Sequence, residues 1–116
     1  MPGDEGAPDF CYLTTTGRHI GEPHEIEIWF ALHEGTVYLL SGGGNRSDWV
    51  RNVMVSPTVT VRIGDRKRLT KARIVKESEE DALARRLLLE KYQPRDSGDL
   101  TSWAATALPV AVAWPE

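Results

Sequence analysis

A single cysteine, Cys11, stands among 116 residues, so no internal disulfide can form and no Cys/His zinc pattern is present. The three histidines, His19, His24 and His33, lack the spacing of metal ligands, and no carboxylate cluster completes a set, so no metal is expected. No apolar run reaches the roughly 18–20 residues of a membrane span, which argues against an integral membrane segment. The residues ahead of Asp9 are acidic and rich in Pro and Gly, unlike a signal or transit peptide, and residues 1–8 are expected to be a flexible lead. No Lys-Ser/Thr pair follows the glycines at 42–44, which excludes a Walker A loop, and neither Ser41 nor Ser47 sits in a G-x-S-x-G elbow. What is left is a cytoplasmic protein held by its core alone, with residues 9–116 as one domain.

The net charge of −3 conceals a strong division. Residues 1–34 carry −6, residues 46–76 carry +7 and residues 77–116 carry −4. A basic segment in an acidic chain points to an anionic partner or to the solvated side of strands. The aromatics are not interleaved with Arg66, Lys67 and Arg68, so a nucleic acid is not the expected partner.

Residues 9–16 read as a strand, rich in β-branched and aromatic side chains. From Glu25 to Leu32 the chain alternates, with Ile26, Ile28 and Phe30 on one side and Glu25, Glu27 and Trp29 on the other. With the turn at Glu34-Gly35 and a strand over 36–41, residues 24–41 are expected to form a hairpin. Asn45 to Val55 reads as a short helix capped by Asn45 or Ser47 and stopped by Pro57. A second hairpin follows over 58–63 and 67–76. Ser78 to Asp81 resembles a capping box that opens a helix to about Tyr92, with Leu83, Ala84, Leu87 and Leu88 as its apolar stripe. A polar loop at 93–99 and a last strand over 108–114 complete the chain. Hairpin connections disfavour a parallel sheet. The expected fold is mainly β, a closed or nearly closed barrel of about six antiparallel strands with two helices packed outside.

The strand-to-helix junction carries the strongest chemical signal. Ser41, Gly42, Gly43 and Gly44 let the backbone approach a ligand, and a helix start with Arg46 beside it favours an anion. Thr14-Thr15-Thr16-Gly17-Arg18-His19 is a second, weaker anion candidate. Trp29 and Trp49 are placed to cover a planar ring or to join the core.

Leu13-Thr14-Thr15-Thr16-Gly17-Arg18 with Gly21-x-Pro23, followed by Leu39 to Gly44 and Ser47-Asp48-Trp49-Val50-Arg51-Asn52, resembles the deazaflavin-dependent nitroreductase and F420H2-dependent quinone reductase family. The resemblance runs from about residue 11 to 114. It implies a split β-barrel, FMN-binding-like in fold, and coenzyme F420, a deazaflavin with a phosphate and a polyglutamate tail. By the same resemblance Arg18, His19 and His24 fall on the tail and phosphate. Ser41, Gly42, Gly43 and Gly44 fall along the cofactor, with Trp49 and Asn52 on the helix behind; Arg46, from the reading of the junction itself, joins the cofactor-binding set. The chain departs from the family's pattern at His19, usually a lysine, and at Asp48, usually a proline. It also has no tyrosine within 99–103, where some members carry one.

The implied activity is hydride transfer from reduced F420 to a small-molecule electron acceptor, a quinone, nitroaromatic or enone, with Ser41 or solvent as proton donor. Two alternatives use the same barrel: FMN as the ligand, or a non-catalytic carrier or sensor of a small ligand. A homodimer is compatible with the resemblance, since related barrels often dimerise.

Overall fold

A computed structural model describes residues 8–115, so the flexible lead expected over residues 1–8 lies outside the described residues but for Pro8. The strands are β1 (Cys11–Thr16), β2 (Pro23–Ile28), β3 (Ala31–His33), β4 (Thr36–Ser41), β5 (Thr58–Ile63), β6 (Arg66–Ile74) and β7 (Leu108–Ala113). The helices are α1 (Asp48–Val55), α2 (Ser78–Tyr92) and α3 (Thr101–Thr106). All pairings are antiparallel, in the order β2-β1-β5-β6-β7-β4-β3.

The two edges of this sheet, β2 and β3, are separated in the chain by Trp29 and Phe30 alone. One bent segment therefore supplies both edges, and the sheet curls back on itself into a split barrel. The expected strand over 25–32 is in fact two. Its first half pairs with β1, Ile26 opposite Leu13, and only its second half forms the hairpin with β4, Ala31 opposite Tyr38. The hairpin expected over 24–41 is thus confined to Ala31–Ser41. β6 spans the opposite corner, pairing with β5 through Arg66–Lys71 and with β7 through Ala72–Ile74.

The bend at Phe30 is made by the end of α2. Tyr92 Oη accepts the Phe30 N–H at 3.0 Å and lies 2.7 Å from the Asp9 carbonyl and 3.0 Å from that of Phe30. Lys91 Nζ donates to the same Phe30 carbonyl at 2.8 Å. Backbone groups lost from the ladder are thereby satisfied by side chains, as buried peptide groups require.

Two apolar layers follow from the alternation. Leu13, Val37, Leu39, Val59, Val61, Val110 and Val112 fill the barrel with Phe30. Tyr38, Leu40 and Ala111 face outward from β4 and β7 onto Ala84, Leu88 and Tyr92 of α2. β4 is buried on both faces for this reason. The start of α2 is tied down by Glu80, which takes two 2.7 Å bonds from Arg73 and one of 2.8 Å from Tyr38 Oη. The Arg73 contact holds the Glu80 carboxyl below its ordinary range.

Three local expectations are corrected. Ser78 to Asp81 is no capping box: α2 is capped at Glu77 without a side-chain bond, and Asp81 pairs instead with Arg85 Nε at 2.6 Å. Neither Asn45 nor Ser47 caps α1 through its side chain, and a 3-10 turn over Gly44–Arg46 precedes the helix. A third helix, α3, occupies part of the stretch left without structure between the α2 helix and the last strand. Among the described residues no helix is long and apolar enough to cross a membrane.

Candidate functional site

The β1–β2 turn and the first turns of α1 enclose a groove of about 820 Å³. Asn52 builds it. This side chain is 3% exposed and projects from α1 toward the end of β1. Its Nδ2 donates to Thr15 Oγ1 at 3.1 Å, while its Oδ1 accepts the Arg18 N–H at 3.2 Å and Arg18 Nη1 at 2.8 Å. One amide so fixes both the backbone of the turn and the guanidinium it carries. Arg18 also donates through Nη2 to Asp48 Oδ1 at 3.0 Å and through Nη1 to the Asp48 carbonyl at 3.4 Å.

Two glycines shape the turn. Gly21 has φ +76°, a conformation L side chains rarely adopt. Gly17 is buried beneath His24, whose Nε2 would stand 2.7 Å from a β-carbon at that position. His24 is placed there by register, opposite Thr15. His19, Ile20, Pro23, Ile26 and Trp49 complete much of the lining, and Glu22, Glu25 and Asp48 add three carboxylates.

Five residues singled out in the sequence, Arg18, His19, His24, Trp49 and Asn52, are brought together here. The glycine junction lies apart from this lining. Ser41 is 2% exposed, and its hydroxyl donates to the Gly44 carbonyl at 2.9 Å and shares a 2.8 Å contact with Ser47 Oγ. Ser41 thus closes the loop Gly42-Gly43-Gly44 upon itself, with Gly44 at φ +61°. Arg46 is exposed on the 3-10 turn. None of the nine bases between residues 46 and 76 lines the groove; its one arginine comes from the acidic first segment.

A second cavity of about 530 Å³ lies farther along β2, lined by Phe10, Glu27, Ile28, Trp29, Leu40, Leu100 and Trp103. Trp29 is stacked on Tyr92, with ring centroids 4.2 Å apart and planes at 3°, and meets Trp103 edge to face at 5.4 Å. Burial pushes the Tyr92 hydroxyl up to about 12. Ahead of α3, Asp99 accepts from Thr101 Oγ1 and N–H, contacts that lower its carboxyl pKa. Gly42 borders this cavity, since a β-carbon there would lie 3.8 Å from the Trp103 ring. Trp103 was not among the expected site residues, and α3, which carries it, is too short to show a periodicity.

The sequence model of the F420H(2)-dependent quinone reductase family matches residues 4–115. The chain belongs to that family. It is therefore an F420H2-dependent reductase, with F420 as its cofactor. No curated protein matches the sequence. A solved structure of an F420-H2 dependent reductase superposes with a TM-score of 0.72 at 22% identity, covering 90% of this chain and 93% of its own. A domain-swapped dimer gives 0.72 at 25% identity, over 90% and 79%. A FAD-binding protein from Mesorhizobium loti gives 0.66 at 13% identity, over 100% and 91%. The fold these structures share with the family is the split barrel described above.

The groove fits the family's cofactor on its own geometry. Its volume is that of a cofactor-sized cleft. Ile26 and Trp49 offer apolar wall, Gly17 lets the His24 imidazole lie close, and Arg18 is a held guanidinium that would suit an anion. Among the described residues no three potential metal ligands gather.

Proposed function

We propose that this reductase binds F420 in the groove over Gly17 and reduces an electron-poor acceptor, a quinone, nitroaromatic or enone, held in the aromatic cavity beside it. The observation that carries the proposal is the Asn52 network, which holds a guanidinium rigidly at the groove. When bound, reduced F420 supplies the hydride. The residues supply place and surroundings. Arg18 takes an anionic oxygen of the phosphate or tail, and His19 and His24 flank it. Trp49 and Ile26 face the ring system, and Asn52 sets the pose through Arg18. Gly42 keeps the backbone low beside the aromatic cavity, Gly43 and Gly44 continue that loop, and Arg46 stands outside it for the end of the tail.

Ser41 we assign to the shape of that loop, because its hydroxyl is engaged by Gly44 and Ser47. The proton that accompanies the hydride then comes from water. Phe10, Trp29 and Trp103 give the second cavity the aromatic faces and edges that suit a planar acceptor. A homodimer belongs to the same reading, supported by the relative solved as a domain-swapped dimer.

The test is a titration of the purified protein with F420, following the cofactor's fluorescence, beside one with FMN. Saturable quenching by F420, lost in Arg18→Ala, is the expected result. Binding of FMN alone would replace the cofactor assignment. Tight F420 binding without turnover of any quinone or nitro compound would leave a carrier.

A further inference from the structure

Asp48 is the first residue of α1, and its carboxylate is set against the groove's one arginine. Arg18 Nη2 lies 3.0 Å from Asp48 Oδ1, with the two side chains 20% and 84% exposed. Asp48 is not needed to position Arg18, because Asn52 already holds both its N–H and its Nη1. Its effect is electrostatic: it supplies Arg18 with an anion of the chain's own. Glu22 and Glu25 line the same groove, against His19 and His24 on the opposite account. An anionic group approaching Arg18 therefore meets a carboxylate already bonded there, with two more nearby.

We infer that Asp48 is a specificity-determining residue, a built-in competitor that weakens the hold on the cofactor's anionic portion and disfavours its more highly charged tails. The inference rests on the reading that F420 binds in this groove. Each added negative charge on the ligand within a screening length of Asp48 adds a further, weaker repulsion, so the penalty grows with tail length. Because the Asp48 carboxylate is largely exposed, the effect is moderate and is screened by salt.

The experiment measures dissociation constants by fluorescence for wild type, Asp48→Asn, Arg18→Gln and the double variant. The probes are F420 with short and with long glutamate tails, and the deazaflavin alcohol that lacks phosphate and tail, each at low and high salt. Asparagine retains an oxygen for Nη2, so the local geometry is preserved. Asp48→Pro is the second variant: it sits at the first helical position, where proline is accommodated, and Ser47 already has the extended ψ of 138° that a following proline requires.

Removing the carboxylate is expected to tighten F420 binding about two- to fivefold at low salt. The gain is larger for the long tail, shrinks at high salt and when Arg18 is Gln, and is absent for the probe without phosphate and tail. Unchanged or weaker F420 binding in both Asp48 variants, or an equal gain for the probe without phosphate and tail, overturns the inference, and the cofactor site stands where Arg18→Gln weakens F420 binding. If no form of F420 binds wild type or either variant, the groove reading fails and takes this inference with it.

Discussion

The imidazole of His24 lies over Gly17 so closely that a β-carbon at position 17 would stand 2.7 Å from its Nε2 and 2.9 Å from its Cδ2. His24 is exposed and can swing aside, whereas the Glu22 carbonyl, 3.1 Å from the same point, must yield by only a few tenths of an ångström. Gly17→Ala should therefore cost little stability, below about 1 kcal/mol, yet weaken F420 binding as much as His24→Ala does. The double variant should bind no worse than His24→Ala alone, because both changes remove the same imidazole from the groove. Thermal melting and fluorescence titration of the three proteins check this; additive losses would separate Gly17 from His24.

Tyr92 and Phe30 are 62 positions apart and share the bond on which the barrel's bend depends. Tyr92→Phe keeps the ring stacked on Trp29 and removes only the hydroxyl. The buried Phe30 N–H then loses its acceptor, a loss of about 2 kcal/mol. Urea unfolding should show a lower midpoint at unchanged slope. A much smaller loss would mean that water replaces the hydroxyl at the bend.

This bend also marks where the chain's own sequence stops being informative. Alternation runs without a break from Glu25 through Phe30, and every inward residue it names is at least partly buried in the barrel. The interruption is imposed by Tyr92 and Lys91, which no local pattern connects to it. The two motifs and the barrel core were legible because they are local: hydroxyls and glycines in a turn, and β-branched residues at period two. Charge misled for a related reason. None of the bases from Arg62 to Arg73 is buried: Arg66, Lys67, Lys71 and Arg73 are exposed, and Arg62 lies over the Tyr12 ring at 4.3 Å. The cavity's guanidinium is Arg18, the lone base of the acidic segment. Ser47 does hold the N-cap position of α1 that its residue type suggests, but its hydroxyl is engaged with Ser41 of another element instead of capping the helix.

Cys11 predicts a limit on alkaline stability. Burial pushes its thiol from 9.0 up to about 12, and Tyr92 is raised from 10.0 to about 12 by the same cause. In the unfolded chain both groups lose their protons earlier, so the unfolded state binds fewer protons as pH rises. Stability is full below about pH 9 and falls from there toward pH 12. Cys11→Val, which keeps a small apolar group in β1, should flatten the first part of that decline. Urea midpoints across this range check the slope. At neutral pH a thiol reagent should label Cys11 only as the protein unfolds; prompt labelling of the native protein would contradict its burial.

Trp103 allows the two cavities to be told apart. It lines the aromatic cavity and not the groove, and it meets Trp29 edge to face at 5.4 Å while Tyr92 covers a face of the same indole. If the acceptor binds there, Trp103 contributes contact to substrate and transition state alike, so its loss appears in KM with kcat little changed. An aromatic contact of this kind is worth about 0.5–1.5 kcal/mol, which is about a two- to twelvefold rise in KM for a planar quinone. Trp103→Phe should recover most of it. The F420 dissociation constant should stay at the wild-type value in both variants, since Arg18, His24 and Asn52 are untouched. Should Trp103→Ala weaken F420 binding and leave the acceptor's KM alone, the cofactor ring belongs in the aromatic cavity and the acceptor must approach from elsewhere.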